Sequence, residues 1–180
     1  KNQIEFFQGE GRLSGKRVLN VHSPKEVQIE AAHILLATGS EEFVPRGLTI
    51  DGKRILTSRE ALESSEVPER IVIVGAGAVG IEFAYIYSMY GAKVTVVEMA
   101  DQVLPGADEE LSVVFRRSLE KKGIEFIMNT RFDDVAVTSK SACLSLKQNE
   151  KDLEIEADQV LLAIGRRPLV ENLGLEELGV

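Results

Sequence analysis

Gly75, Gly77 and Gly80 stand in the spacing G-x-G-x-x-G, and an acid, Glu98, follows the last glycine by 18 positions. Such a set can hold a dinucleotide. The first glycine permits a tight turn, the second lets a pyrophosphate approach the backbone, and the third lets a helix pack closely on a sheet. The N–H groups and positive dipole end of that helix face the phosphates. Glu98 would accept hydrogen bonds from the adenosine ribose hydroxyls. A 2′-phosphate there would meet a carboxylate, and no Lys or Arg follows Glu98 until Arg116. The reading is therefore NAD(H), not NADP(H). The bland alternative is a glycine turn with no ligand and a chance acid at a strand end.

The elements needed to position these residues are legible on either side. Ile71–Val74 is an apolar run entering the glycines, a helix-like segment runs on to about Tyr90, and Gly91 breaks it. A second apolar run, Val94–Val97, ends on Glu98. Strand, glycine turn, helix, strand, acid is the context in which the motif becomes specific. Further on, Asp108 can cap a helix to about Lys122, with Leu111, Val114, Phe115 and Leu119 on one face. Gly123 ends it, Ile124–Met128 reads as a third strand, and Phe132–Thr138, Ala142–Lys147 and Leu153–Glu156 alternate like an antiparallel meander. Asp158–Ile164 is a continuous apolar strand closed by Gly165.

The N-terminal part shows a strand candidate at Ile4–Phe7, a hairpin over Arg17–His22 and Glu26–Glu30, and a buried-strand pattern at His33–Thr38. Prolines and glycines then mark residues 45–66 as a linker, with Thr57 or Ser58 able to cap a short helix over Arg59–Ser64. Ile29–Gly39 (IEAAHILLATG) and Ile155–Gly165 (IEADQVLLAIG) are identical at seven of eleven positions, and Ile4-Glu5-Phe6 matches Ile124-Glu125-Phe126 upstream. The repeat implies two nucleotide-binding halves, the first lacking its glycine loop. The expectation is a piece of a larger, two-nucleotide enzyme.

Of the 180 residues, 44% are hydrophobic and 28% charged, an ordinary globular balance. A net charge of −8 argues against nucleic acid or anionic membrane as partner. No apolar run approaches a membrane span, and the N-terminus is not signal-like, so a soluble cytoplasmic protein is expected. Cys143 is the single cysteine and reads as a small packed hydrophobe. His22 and His33 have no Cys, Asp or second His at ligand spacing, so no metal site is expected. Arg166-Arg167-Pro168 could touch a cofactor phosphate or be a solvated loop.

The stretches HILLATGSE, PRGLTIDGKRILTSREAL, PERIVIVGAGAVGIEFA, VTVVEMADQVLPGADEE, KKGIEF and LLAIGRRP together resemble the pyridine nucleotide–disulfide oxidoreductases, within them the dihydrolipoamide dehydrogenase branch, across essentially the whole chain. The resemblance implies an α/β fold: a Rossmann-like three-layer NAD-binding domain, parallel sheet plus antiparallel meander, at residues 67–180. Residues 1–44 would then be a β segment of a split FAD-binding domain. By the same resemblance Gly75, Ala76, Gly77, Ala78, Val79, Gly80, Ile81 and Glu82 would line the NAD pyrophosphate and nicotinamide. Phe132 would flank the adenine and Gly165 approach the nicotinamide. Gly11 and the turn Thr38, Gly39, Ser40 would belong to a partial FAD site.

Glu82 is either an acid favourable to the helix dipole or, in the whole enzyme, the partner of a lysine beside the flavin. Members that use NADPH carry basic residues after the second strand; this chain does not. The family's C-x-x-x-x-C pair, first FAD glycine loop and interface domain are absent from the sequence. The expected function is NAD(H) binding within a flavoenzyme that passes electrons between dihydrolipoamide and NAD. The whole enzyme would be a homodimer, and a component of a 2-oxo acid dehydrogenase complex is one setting for it. Other readings are an NADH oxidase, soluble transhydrogenase or mercuric reductase-type flavoenzyme, or a non-catalytic NAD-binding module.

Overall fold

A computed structural model describes residues 3–180. Lys1 and Asn2, the start of the expected 1–44 segment, lie outside the described residues. The chain divides into two units, one comprising the described residues up to Glu41 together with Arg167–Val180, the other Glu42–Arg166.

In the first unit, β1 (Glu10–Gly15), β2 (Val18–His22) and β3 (Val27–Glu30) form an antiparallel sheet in the order β1-β2-β3. The expected hairpin is β2–β3. β1 was not expected, since EGRLSG has two glycines and one apolar side chain. Pairing with β2 makes it a strand: Leu13 lies opposite Leu19 and Gly11 opposite Val21, and Leu13 and Val21 are buried. Ile4–Phe7 is not a strand, and Ile4 and Phe6 are exposed. His33–Thr38 is not a strand either. β4 (Ser40–Glu42) follows that stretch.

In the second unit, β5 (Ile55–Leu56) and α1 (Ser58–Glu63) come from the stretch expected to be linker. Both are set by local hydrogen bonds. The Asp51 carboxylate accepts from the N–H groups of Lys53, Arg54 and Ile55. Thr57 and Glu60 form a reciprocal capping box, a device that contributes about 0.5–2 kcal/mol. Then come β6 (Arg70–Val74), α2 (Ala78–Met89), β7 (Lys93–Val97), α3 (Glu109–Glu120) and β8 (Glu125–Ile127). The meander is β9 (Thr130–Val137), β10 (Ala142–Gln148) and β11 (Lys151–Ala157). β12 (Gln159–Leu162) ends the unit's main sheet, and β13 (Arg166–Pro168) pairs with β4.

The order β5-β12-β6-β7-β8 is parallel throughout, and β9, β10 and β11 pair antiparallel. Strand alternation sends side chains to opposite faces, and the two cores follow from it. Ile71, Ile73, Val94, Val96 and Leu161 pack with α2 and with Leu119 of α3. Val72, Val74, Val97, Val160 and Leu162 pack with Val135, Leu144 and Leu146 of the meander. Helices, parallel sheet and meander are thus three layers. Parallel strands covered on both faces read as near-continuous apolar runs, as β6 and β12 do and as β7 does but for Thr95.

α3 departs from the expected face. Leu119 and Ser112 are buried, whereas Leu111 and Val114 are mainly exposed. Helical spacing puts Leu111, Val114 and Phe115 on one stripe but does not supply a layer to cover it. Among the described residues no helix is long and apolar enough to cross a membrane.

Candidate functional site

The glycine loop links β6 to α2. Gly75 has φ +107°, and its N–H donates to the Val97 carbonyl at 2.8 Å. A methyl group added there would strike the Ala163 carbonyl; one added at Gly80 would strike the Gly75 carbonyl and lie 3.3 Å from the Ala163 side chain. Both positions require glycine for close approach. Gly77 is different: a Cβ there would meet nothing within 4 Å. The space above its backbone is open to a ligand.

Gly77 is also the residue that precedes the first turn of α2, and no side chain caps that turn. The first N–H groups of a helix have no partner inside it. Ile81 is the first to donate back, to the Gly77 carbonyl at 3.0 Å. Uncapped donors, a helix dipole and open space over Gly77 together make an anion cradle.

A cavity of about 470 Å³ opens beside this loop, lined among others by Gly75, Gly77, Glu98, Phe132 and Gly165. Residues from β6, the end of β7, the start of β9 and the turn after β12 are thereby gathered in one place. Glu98 is half-buried at its floor. Its Oε2 accepts from Ala76 N–H at 2.6 Å and its Oε1 from Ala100 N–H at 2.8 Å. A carboxylate has about four acceptor positions, so two bonds hold it in place and leave capacity for ribose hydroxyls. The sequence suggested the acid but not that it would fasten the glycine loop itself.

A second, smaller cavity of about 140 Å³ lies where Gly77, Ala78 and Val79 meet Gly165 and Arg166. Glu42 organises its wall. It accepts from Ser58 Oγ at 2.9 Å and pairs with Arg166 at 2.9 Å, while Phe43 N–H donates to the Gly165 carbonyl at 3.0 Å. A backbone hydrogen bond and these side-chain donors hold the Glu42 carboxyl below its ordinary range against the opposing effect of burial.

The remaining expected site residues fall elsewhere. Ala76, Gly80 and Ile81 are buried beneath the loop, and Ala76 accepts from Leu104 N–H at 2.8 Å. Glu82 is exposed on α2 and lines neither cavity. In the first unit, Gly11 is exposed on β1, opposite Val21. Thr38 Oγ1 donates to the Leu169 carbonyl at 2.6 Å, and the Gly39 carbonyl accepts from Leu169 N–H at 3.0 Å; Ser40 opens β4. Of the two arginines left open by the sequence, Arg166 pairs with Glu42 and Arg167 with Glu41 at 2.6 Å.

The cavity also contains residues that sequence reading missed: Pro45, Met99, Pro105, Thr130, Arg131 and Ile164. Arg131 matters most, because it is a cation lining the same cavity as Glu98 although it lies 33 positions further along the chain. Backbone bonds between the loop after β7 and the turn into β9 bring it close, Asn129 N–H donating to the Ala100 carbonyl at 3.0 Å. Thr130 N–H donates to the Glu98 carbonyl at 2.9 Å, and Arg131 is the next residue. Its Nε donates to Asp133 Oδ1 at 2.7 Å, and this bond lowers the Asp133 pKa from its ordinary value.

The chain matches the family described as pyridine nucleotide-disulphide oxidoreductase over residues 1–180. It is 37% identical over 181 residues to a dihydrolipoyl dehydrogenase of Bacillus subtilis (strain 168), with 100% of this chain and 39% of that protein covered. A dihydrolipoyl dehydrogenase of Chlorobaculum parvum is 38% identical over 183 residues, with the same coverage of 100% and 39%. Among solved structures, LpdA from Mycobacterium tuberculosis superposes with a TM-score of 0.81 at 29% identity, covering 96% of this chain and 39% of that one. The chain spans 39% of the length of these relatives.

Proposed function

Given that the chain belongs to the pyridine nucleotide-disulphide oxidoreductase family, we propose that its second unit binds NAD(H) for a flavin-dependent disulfide oxidoreductase of the dihydrolipoyl dehydrogenase type. The observation that carries this reading is the cavity in which an open glycine backbone, an uncapped helix start and a fixed carboxylate meet. The pyrophosphate fits the open side of Gly77, where no Cβ intervenes. The Glu98 carboxylate accepts the ribose hydroxyls. Phe132 offers an aromatic surface for the adenine, and Val79 and Gly165 border the smaller cavity on the nicotinamide side.

When bound, the nicotinamide and FAD supply the hydride and electron chemistry. The chain's own residues bind and orient. Helix N–H groups hold the phosphates, Glu98 fixes the ribose, and the Glu42–Arg166 pair ties the residue after Gly165 to β4 beside the smaller cavity. Cys143 is the chain's one cysteine, so the disulfide step belongs to other residues of the whole enzyme. The first unit, the chain up to Glu41 together with Arg167–Val180, is proposed to belong to its FAD-binding domain, with Gly11 and the Thr38–Ser40 turn at the flavin nucleotide. The whole enzyme is proposed to be a homodimer acting on dihydrolipoamide.

Calorimetric titration of the chain with NADH and NADPH tests the reading. NADH is expected to bind more tightly, and equal or tighter NADPH binding would sink the Glu98 assignment. Glu98→Ala is expected to weaken NADH binding by roughly 1–3 kcal/mol through loss of charge-assisted hydrogen bonds. An unchanged NADH affinity in a folded variant would remove Glu98 from the site.

A further inference from the structure

We propose that the ion pair between Arg131 and Asp133 sets the cofactor preference of this cavity, with Asp133 withholding a cation that would otherwise accept a 2′-phosphate. The inference rests on the cavity being the dinucleotide site. Three observations carry it.

First, Arg131 lines the same cavity as Glu98, and the hydrogen bond from Thr130 N–H to the Glu98 carbonyl, made where the chain turns from β8 into β9, fixes their proximity. A guanidinium here is chemically suited to a phosphate, with several donors in a planar fork. Second, Asp133 is the extra residue of a β-bulge. On β9 Phe132 pairs with Leu146 and Asp134 with Ser145, so Asp133 has no partner across the ladder. Bulges re-aim side chains and recur beside functional sites. This one brings the Asp133 carboxylate to Arg131 at 2.7 Å. Third, Asp133 is the carboxylate in hydrogen-bond contact with Arg131, while Glu150 acts on it only through its charge. Lys147 sits across the ladder from Arg131 and reaches Glu150 at 3.4 Å, on a side chain that is 92% exposed. Neutralising Asp133 would leave Arg131 with a second cation nearby and no carboxylate in hydrogen-bond contact.

In the wild-type chain a 2′-phosphate therefore faces the Glu98 carboxylate and a cation already engaged by Asp133. A 2′-hydroxyl meets neither penalty. Without Asp133, the cation is free to pair with the phosphate.

The test compares NADH and NADPH binding to the full chain and its variants by calorimetry. Asp133→Asn keeps the shape of the side chain and removes its charge. It is expected to raise NADPH affinity relative to NADH by about tenfold, the size of one charge-assisted contact. The gain should shrink as salt is raised, because the pair is exposed and screened. Asp133→Asn combined with Arg131→Gln should return the ratio to the wild-type value. An unchanged ratio in Asp133→Asn, or a raised ratio that survives in the double variant, overturns the proposal while leaving the NAD(H) reading intact. If the wild-type chain binds neither cofactor, the NAD(H) reading fails and this inference with it. A variant that fails to show wild-type circular dichroism is replaced by Asp133→Ser, for which the same outcomes apply.

Discussion

Ile29–Gly39 and Ile155–Gly165 share seven of eleven residues and end in different structures. In the second, Val160, Leu161 and Leu162 form a strand between β5 and β6, with Leu161 0% exposed. In the first, the matching stretch is not a strand, and Leu35, which corresponds to Leu161, is 89% exposed. An apolar run specifies that a strand wants cover on both faces; it does not provide the cover. For Leu161 the cover is α2 with Leu119 of α3 on one side of the sheet, and for its neighbours Val160 and Leu162 it is the meander on the other. Among the described residues nothing lies beside Ile34–Leu36 in a ladder.

The sharpest way to break the comparison is to truncate the two leucines. Leu161→Ala is expected to lower the unfolding free energy by roughly 2–5 kcal/mol, the range for deleting a buried leucine side chain. Leu35→Ala is expected to change it by less than about 0.5 kcal/mol, as at an exposed position. Urea denaturation measures both. Similar losses at the two sites would show that the first repeat is covered in solution after all.

The repeats also differ in what meets their last residues. Ala163, in the second, touches the glycine loop from below: added methyls at Gly75 and Gly80 would run into its carbonyl and side chain. Its counterpart Ala37 is exposed. Gly80→Ala should therefore cost about 1–3 kcal/mol of stability through overpacking. Gly77→Ala, which meets nothing within 4 Å, should cost under about 1 kcal/mol and weaken NADH binding instead. Denaturation and titration of each variant separate the two effects. If Gly80→Ala were as stable as the parent, the loop would not be the lid on the second repeat.

This pair of repeats explains what the sequence could tell and what it could not. The β6–α2–β7 unit, the caps at Thr57 and Asp108, and the meander were legible because each rests on local spacing: apolar alternation, a capping residue, a glycine turn. Gly75, Gly77, Glu98, Phe132 and Gly165 were all named in advance, and one cavity gathers them. What escaped depended on partners distant in sequence. β1 is a strand only through β2; β5 joins the sheet from a proline- and glycine-marked stretch; Arg131 reaches the cavity because Thr130, the residue before it, is bonded to the Glu98 carbonyl. The exposed stripe on α3 is the converse case, a local pattern without the neighbour it implies.

The smallest expected effect concerns how each repeat is anchored at its start. Asp158 of the second accepts from Arg70 N–H at 2.8 Å and pairs with the Arg70 guanidinium at 2.9 Å. Its counterpart in the first is Ala32, exposed. The Arg70 side-chain hydrogen bond lowers the Asp158 pKa, burial opposes it, and the Arg70 backbone N–H and charge add to the lowering. A carboxyl whose folded pKa is depressed contributes stability that is complete above its unfolded value, about 3.9, and is lost as pH falls through the lower folded value. Stability should thus decline on acidification below about pH 4, with Asp158 among the contributors. Asp158→Asn is expected to be less stable at neutral pH and to lose less on going down through that window. Ala32→Asp, at an exposed position, should leave the acid profile nearly as it was, since exposed ion pairs contribute little. Urea midpoints from neutral pH down to the acid limit of folding would measure all three chains. An Asp158→Asn profile parallel to the wild type would mean that the ion pair does not hold the second repeat to β6, and that its parallel pairing and apolar cover are sufficient alone.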